Sequence, residues 1–177
     1  ILRCLVGSEM CIRDRFKAVF TEQGASANHM AANKFVDVIA RLPGCKGQDA
    51  DANQAYTQIA LSEATELLGI GVVPEIWVTL PKDQWPADGS WEGIENPVCP
   101  LRLNLYGHPL AGLLWEKGCQ KRLESLGFEL VKGWECLYVH RTEQLFLSVY
   151  VDDFHMAGKA DNMDKMWNRM AKAKLDL

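Results

Sequence analysis

The sequence lacks the cysteine and histidine patterns that mark zinc sites. It contains six cysteines and four histidines, but no CxxC pair and no HExxH motif. Zinc sites with the usual ligand spacing are therefore not expected. Scattered cysteines in a chain of 177 residues are typical of free thiols in a reducing compartment. We expect neither a zinc protein nor a disulfide framework.

An excess of basic charge and a long apolar run are also missing. The formal net charge is −4, so composition alone does not indicate a nucleic-acid partner, although a local groove can be basic on an acidic protein. No apolar run approaches the roughly 20 residues of a membrane-spanning helix, and we expect no membrane partner. The length and composition are those of one globular domain with a real core.

Periodicity predicts a mixed α+β fold. Apolar residues at helical spacing indicate amphipathic helices, and β-rich runs separated by four polar residues indicate a hairpin. The predicted order is a short strand at Phe16–Thr21, a helix near residues 35–42, a polar and then partly helical stretch at 46–56, a strand at 76–80, a proline-rich irregular stretch at 81–100, a long helix within 107–127, two strands at 136–140 and 145–151, and a final helix carrying Met163, Met166 and Met170. We expect an antiparallel sheet with helices packed on one face.

Two adjacent carboxylates, Asp152 and Asp153, directly follow the strand at 145–151. Like charges beside a core are unfavourable unless something positive offsets them, and a divalent metal would do so. A hairpin turn is the alternative, because Asp is common in turns. A third carboxylate, Asp51, would complete a two-metal site for phosphoryl transfer if the fold brought it beside Asp152.

The first fifteen residues, ILRCLVGSEMCIRDR, do not look native. They resemble the translated read-through of a cDNA-library or sequencing adaptor. We therefore treat residues 1–15 as an artefact and expect the native domain to cover residues 16–177.

Four blocks of the chain, taken in order, resemble the reverse transcriptases of copia-type retrotransposons. YVDD at residues 150–153 is similar to their catalytic hairpin, and DANQAY at 51–56 is similar to their first catalytic motif. LYGHPLAGLLWEK at 105–117 resembles a segment that commonly reads LYGLKQAPRAWYEK, and VCPLRLNLYG leads into it. Each block alone is a weak signal, whereas four in the right order are a strong one.

The resemblance implies a truncated palm-and-fingers fold and RNA-directed DNA polymerase activity. It assigns catalysis and the binding of two Mg²⁺ ions, or Mn²⁺, to Asp51, Asp152 and Asp153. It assigns substrate binding to Tyr56, which would exclude a ribose 2′-hydroxyl, to Tyr150 near the primer end, to Ala111 and Gly112 beside the incoming nucleotide, and to Lys17. The chain departs from the family in having Leu110-Ala111-Gly112 where Gln-Ala-Pro is common and Val19 where Arg is common.

The resemblance also implies the partners. They are an RNA/DNA template–primer duplex, deoxynucleoside triphosphates and the rest of the polyprotein, with its RNase H and integrase. The element would work in a cytoplasmic virus-like particle before its DNA reaches the nucleus. We expect the isolated fragment to be inactive, because a thumb is needed to grip the duplex. Two alternatives stay open: a catalytically inactive remnant of such an element, and an unrelated metal-dependent phosphohydrolase.

Overall fold

The structure is a computed structural model that describes residues 29–69 and 75–177. The first fifteen residues, the strand predicted at Phe16–Thr21, and Lys17, to which the resemblance assigns substrate binding, lie outside the described residues. The described part of the chain divides into two compact units. The smaller covers residues 61–69 and 75–102, and the larger covers residues 29–60 and 103–177.

The larger unit contains a five-stranded sheet and three helices among its described residues. The elements are α1 (His29–Ala40), β1 (Cys45–Asp51), a 3-10 turn (Ala55–Gln58), α3 (Ala111–Ser125), β4 (Glu129–Leu130), β5 (Leu137–His140), β6 (Leu145–Tyr150), β7 (Asp153–Lys159) and α4 (Ala160–Lys172). The sheet order is β1-β7-β6-β5-β4, and every neighbouring pair is antiparallel. The mixed α+β architecture with an antiparallel sheet is thereby confirmed.

The smaller unit holds the proline-rich segment. It comprises a 3-10 turn (Leu61–Glu63), α2 (Ala64–Leu68), β2 (Trp77–Thr79), a second 3-10 turn (Lys82–Gln84) and β3 (Val98–Pro100). β2 and β3 pair as an antiparallel ribbon. Trp85 and Trp91 meet edge to face with their ring centroids 6.2 Å apart, and the Trp85 indole donates to the carbonyl of Leu80. These contacts order a segment with little regular structure, as its prolines predict.

Helices cover both faces of the sheet, so the expectation of helices on one face is wrong. Paired residues of antiparallel strands point to the same face, and neighbours along a strand point to opposite faces. α1 packs with Val36 against Ala157 and Phe146 on one face. On the other face, the Trp167 indole of α4 donates to Gln48 of β1, which is paired with Met156.

The buried side of α4 is the methionine stripe that the sequence predicts as core. Met163, Met166 and Met170 are at most 1% exposed, and their spacing places them on one side of the helix. α3 covers the same face of the sheet, where its Trp115 ring meets Phe154 of β7. The two helices bury the apolar face of the β6–β7 hairpin, and the two aspartates lie at the tip of that hairpin.

Four strands were not expected from the sequence, namely β1, β3, β4 and β7. β1 was predicted as polar and then partly helical, but Cys45–Asp51 is extended. Its residues are exposed or half-buried, so its sequence lacks the apolar alternation that predicts a strand. β7, Asp153–Lys159, was not predicted as a strand at all. The hairpin of β5 and β6 and the helices α1, α3 and α4 are confirmed.

Gly158 of β7 tests how closely β7 approaches the start of β6. It has φ +147°, and a Cβ there would lie 2.1 Å from the carbonyl oxygen of Gln144 and 2.9 Å from the Cα of Leu145. Because both neighbours are backbone atoms, we expect Gly158→Ala to lower the free energy of unfolding by about 2–4 kcal/mol. Gly112→Ala is the matched control, since nothing lies within 4 Å of a Cβ there. Equal denaturation midpoints for the two variants would contradict this packing.

The buried thiol of Cys119 makes stability depend on alkaline pH. Cys119 is 2% exposed, and burial raises the pKa of its thiol from 9.0 to about 12. A raised pKa in the folded state means that stability is complete below about pH 9 and is lost as the pH rises toward about 12. We expect Cys119→Ala to flatten the fall in unfolding free energy between about pH 8 and 10.5, measured by urea denaturation. An equally steep fall in the Cys119→Ala variant would contradict the burial of this thiol.

Candidate active site

The Asp152–Asp153 pair lies at the tip of the β6–β7 hairpin. Tyr150 and Asp153 are directly paired, so Val151 and Asp152 form a two-residue turn. The hairpin-turn interpretation of the aspartates is therefore confirmed as local structure. Val151 has φ +56°, a conformation that a β-branched residue rarely adopts. Such strain concentrates at functional sites.

Asp51 lies directly opposite the hairpin tip. It pairs with Asp153 across the β1–β7 ladder, and the backbone N–H of Ala52 donates to the carbonyl of Asp152 at 2.7 Å. The Cα atoms of paired residues are about 4.5–5.5 Å apart. The fold thus brings Asp51 beside Asp152 and Asp153, which follow it by about a hundred residues in sequence.

The three carboxylates do not yet form a set of metal ligands. Within residues 29–69 and 75–177, no three His, Cys, Asp or Glu side chains are arranged so that they could hold an ion as they stand. All three aspartates are exposed. Their carboxylate oxygens are nevertheless the ligands that Mg²⁺ prefers. The donor chemistry fits the ion, and side-chain rotation would be required to bind it.

Trp115 of α3 anchors the hairpin tip to the helix. Its indole N–H donates to the carbonyl of Val151, and its ring centroid is 6.5 Å from that of Phe154. Trp115 is 2% exposed, so the contact holds the turn from the protein interior. The side chain therefore fixes the turn residue that precedes Asp152.

Tyr56 stands beside the same tip. It belongs to the 3-10 turn Ala55–Gln58 that follows β1, and its ring centroid is 4.4 Å from that of Tyr106. Burial raises the pKa of the Tyr56 phenol, with further contributions from Tyr106, Asp152 and Tyr150. Tyr150 is paired with Asp153 and is 40% exposed. Tyr56 and Tyr150 therefore lie close to the aspartates, and Tyr106 contacts Tyr56; the sequence pattern had marked only Tyr56 and Tyr150.

The remaining predicted substrate residues are at the start of α3. Ala111 is 4% exposed, and its carbonyl accepts a hydrogen bond from Asn104, so its methyl group faces the core. Gly112 is exposed, with open space where a Cβ would be. α3 is connected to the hairpin tip through Trp115, one turn further along the helix. Only Gly112 of this pair offers surface to a ligand.

His155 contacts two aspartates in a cluster that the sequence did not indicate. Its Nδ1 contacts a carboxylate oxygen of Asp49, and its Nε2 lies 3.2 Å from a carboxylate oxygen of Asp37. Asp49 and His155 are paired two residues along from Asp51 and Asp153, on the same face. No motif or spacing in the sequence indicated this contact, because it joins α1 to two strands.

Replacing Val151 by Gly tests whether the turn is strained. Gly adopts positive φ without steric cost, and only the exposed Val151 side chain is lost. We expect the free energy of unfolding to rise by about 1 kcal/mol, since relief of strain outweighs the added flexibility of the unfolded chain. Val149→Gly in β6 is the control and should destabilise the fold. A loss of stability in Val151→Gly would show that the turn is relaxed.

The site thus combines three aspartates, three tyrosines and a buried tryptophan at one end of the sheet. In the described part of the chain, no helix is long and apolar enough to cross a membrane. No protein-family model, curated protein or solved structure matches this chain.

Proposed function

We propose that this chain is a fragment of the polymerase domain of a copia-type reverse transcriptase, in which palm and fingers carry out RNA-directed DNA synthesis. One observation carries the proposal: Asp51 is paired with Asp153 and hydrogen-bonded through its neighbour to Asp152. Nothing in local sequence requires two segments about a hundred residues apart to meet in this register. Their meeting is what a polymerase site of this family needs, and it supports the resemblance of the motifs.

The aspartates would bind and orient the reacting groups. When bound, two Mg²⁺ ions would neutralise charge on the triphosphate and activate the primer 3′-hydroxyl. Asp51, Asp152 and Asp153 would hold them, and Trp115 would keep the hairpin tip in place through Val151. The Tyr56 ring would lie under the sugar of the nucleotide and exclude a 2′-hydroxyl by its bulk.

The partners and the setting are part of the same proposal. The ligands would be a template–primer duplex and deoxynucleoside triphosphates, with RNase H and integrase on the same polyprotein. The chain would act in a cytoplasmic particle. Residues 16–177 would then be the native part of the domain, and residues 1–15 the adaptor-derived sequence.

One observation favours the inactive-remnant alternative. Leu110, where the family commonly has Gln, is 1% exposed, so this position offers a nucleotide neither an amide nor any surface. An unrelated metal-dependent phosphohydrolase could use the same three carboxylates. The two alternatives differ in their outcome, because a remnant catalyses neither reaction and a phosphohydrolase releases phosphate without extending a primer.

Metal binding and primer extension test the proposal with one substitution. We expect the chain to bind Mn²⁺ in isothermal titration calorimetry, and Asp152→Asn to weaken this binding at least about tenfold, because a lost ligand costs no less than a lost outer-shell partner. Asp83→Asn, an exposed aspartate in the smaller unit, is the control and should bind Mn²⁺ like the unaltered chain.

The same substitution is then made in the complete element. Asp152→Asn is expected to abolish extension of an RNA-templated primer there, while Asp83→Asn retains it. Full extension by the Asp152→Asn element would exclude the assigned role. Phosphate release without extension in the unaltered element would instead favour the phosphohydrolase.

A further inference from the structure

Tyr106 forms a ring pair with Tyr56 that the site assignment above does not use. The two residues come from different segments, the 3-10 turn after β1 and the loop before α3, yet their ring centroids are 4.4 Å apart at an interplanar angle of 39°. Aromatic rings at this distance attract each other, and this attraction adds to the free energy gained by burying their surface. The contact limits the freedom of the Tyr56 ring on the side that Tyr106 occupies.

A buried asparagine holds the two segments together. Asn104 is 0% exposed. Its backbone N–H donates to the carbonyl of Ile59, just after the Tyr56 turn, at 2.8 Å, and its side-chain amide donates to the carbonyl of Ala111 at 2.9 Å. The backbone N–H of Leu105 donates to the Asn104 side-chain oxygen at 3.1 Å. Because buried polar groups are costly to leave unpaired, this network fixes the loop that carries Tyr106.

The loop leaves much of the Tyr106 ring open to solvent. Tyr106 is 53% exposed, although a large aromatic ring would normally gain by burial. The next residue, Gly107, has φ +87°, which permits the sharp turn after the ring. An exposed ring on a loop held by this network, in tilted contact with a second ring near Asp152, is a surface suited to a flat ligand.

We propose that Tyr106 is a positioning residue for the sugar of an incoming nucleotide, acting through Tyr56. This inference rests on the proposed function and names one more determinant of the same site. With Tyr106 behind it, the Tyr56 ring cannot swing away from a bulkier sugar. Without Tyr106, the Tyr56 ring gains a second orientation and leaves room for a 2′-hydroxyl. The pair, rather than Tyr56 alone, then selects deoxyribonucleotides over ribonucleotides.

The test compares the binding of dATP and ATP to the chain, each with Mn²⁺, by isothermal titration calorimetry. We expect the unaltered chain to prefer dATP, and Tyr106→Ala to reduce the ratio of the two dissociation constants about three- to tenfold, the equivalent of one aromatic pair. A merely structural loss would weaken both nucleotides equally and leave the ratio unchanged. Tyr106→Phe keeps the ring and should keep the ratio.

Phe35→Ala is the matched control. Phe35 of α1 is 37% exposed, and its ring centroid lies 5.1 Å from that of Phe146 in an edge-to-face contact. The substitution removes a comparable, partly exposed ring pair and should not alter the ratio of the two dissociation constants. Circular dichroism checks that each variant is folded, and Tyr106→Leu replaces Tyr106→Ala if the latter is not.

The outcomes separate this inference from the proposed function. Failure of the unaltered chain to bind either nucleotide would overturn both. A preference for dATP that persists unchanged in a folded Tyr106→Ala or Tyr106→Leu variant would overturn the role of Tyr106 and leave the proposed function standing. A reduced ratio that Tyr106→Phe does not restore would also overturn it, because the ring would then not be the cause.

Discussion

The pairing of β1 with β7 is the constraint on which the site depends. Seven residue pairs fix this register, and a shift by one residue would turn Asp51 to the face opposite Asp153. Gly47 of β1 also constrains this register through its contact with α1. A Cβ at residue 47 would lie 2.8 Å from the Cβ of Ala40 at the end of that helix. The small residue lets the helix sit close to the strand. The position of the aspartates is thus set by packing at the other end of the same ladder.

The polar character of β1 follows from its place in the sheet. It is an edge strand, and charged residues on an edge discourage pairing with another chain. The charges also collect on one face, where Asp49 and Asp51 share it with Asp153. On the same face, His155 contacts the carboxylates of Asp37 and Asp49. The concentration of acid at this end is tolerable because most of these side chains reach solvent.

Elements with a clear local pattern could be predicted from the sequence. Elements that depend on distant partners could not. The methionine stripe of α4 and the β5–β6 hairpin carry clear periodicity. β1 carries none, because neither of its faces is fully buried, and the glycine in FHMAG weakened the signal of β7. The meeting of Asp51 with Asp153 was expected only from the resemblance of motifs, since spacing cannot reveal a long-range register. The Tyr56–Tyr106 contact had no sequence signal, because each ring lies on an irregular segment.

The turn and metal interpretations of the YVDD stretch are compatible once the turn is seen in detail. A turn needed only to reverse the chain would carry Gly or Asn where φ is positive, yet this one carries Val151 at φ +56° with its side chain 38% exposed. The residue is only partly covered, so its burial alone does not explain the conformation. The surroundings maintain the conformation instead, through the Trp115 hydrogen bond on one side and the Ala52 hydrogen bond on the other. This strained turn is held by hydrogen bonds on two sides and has exposed carboxylates next to it. The need to expose those carboxylates explains it better than the need to reverse the chain.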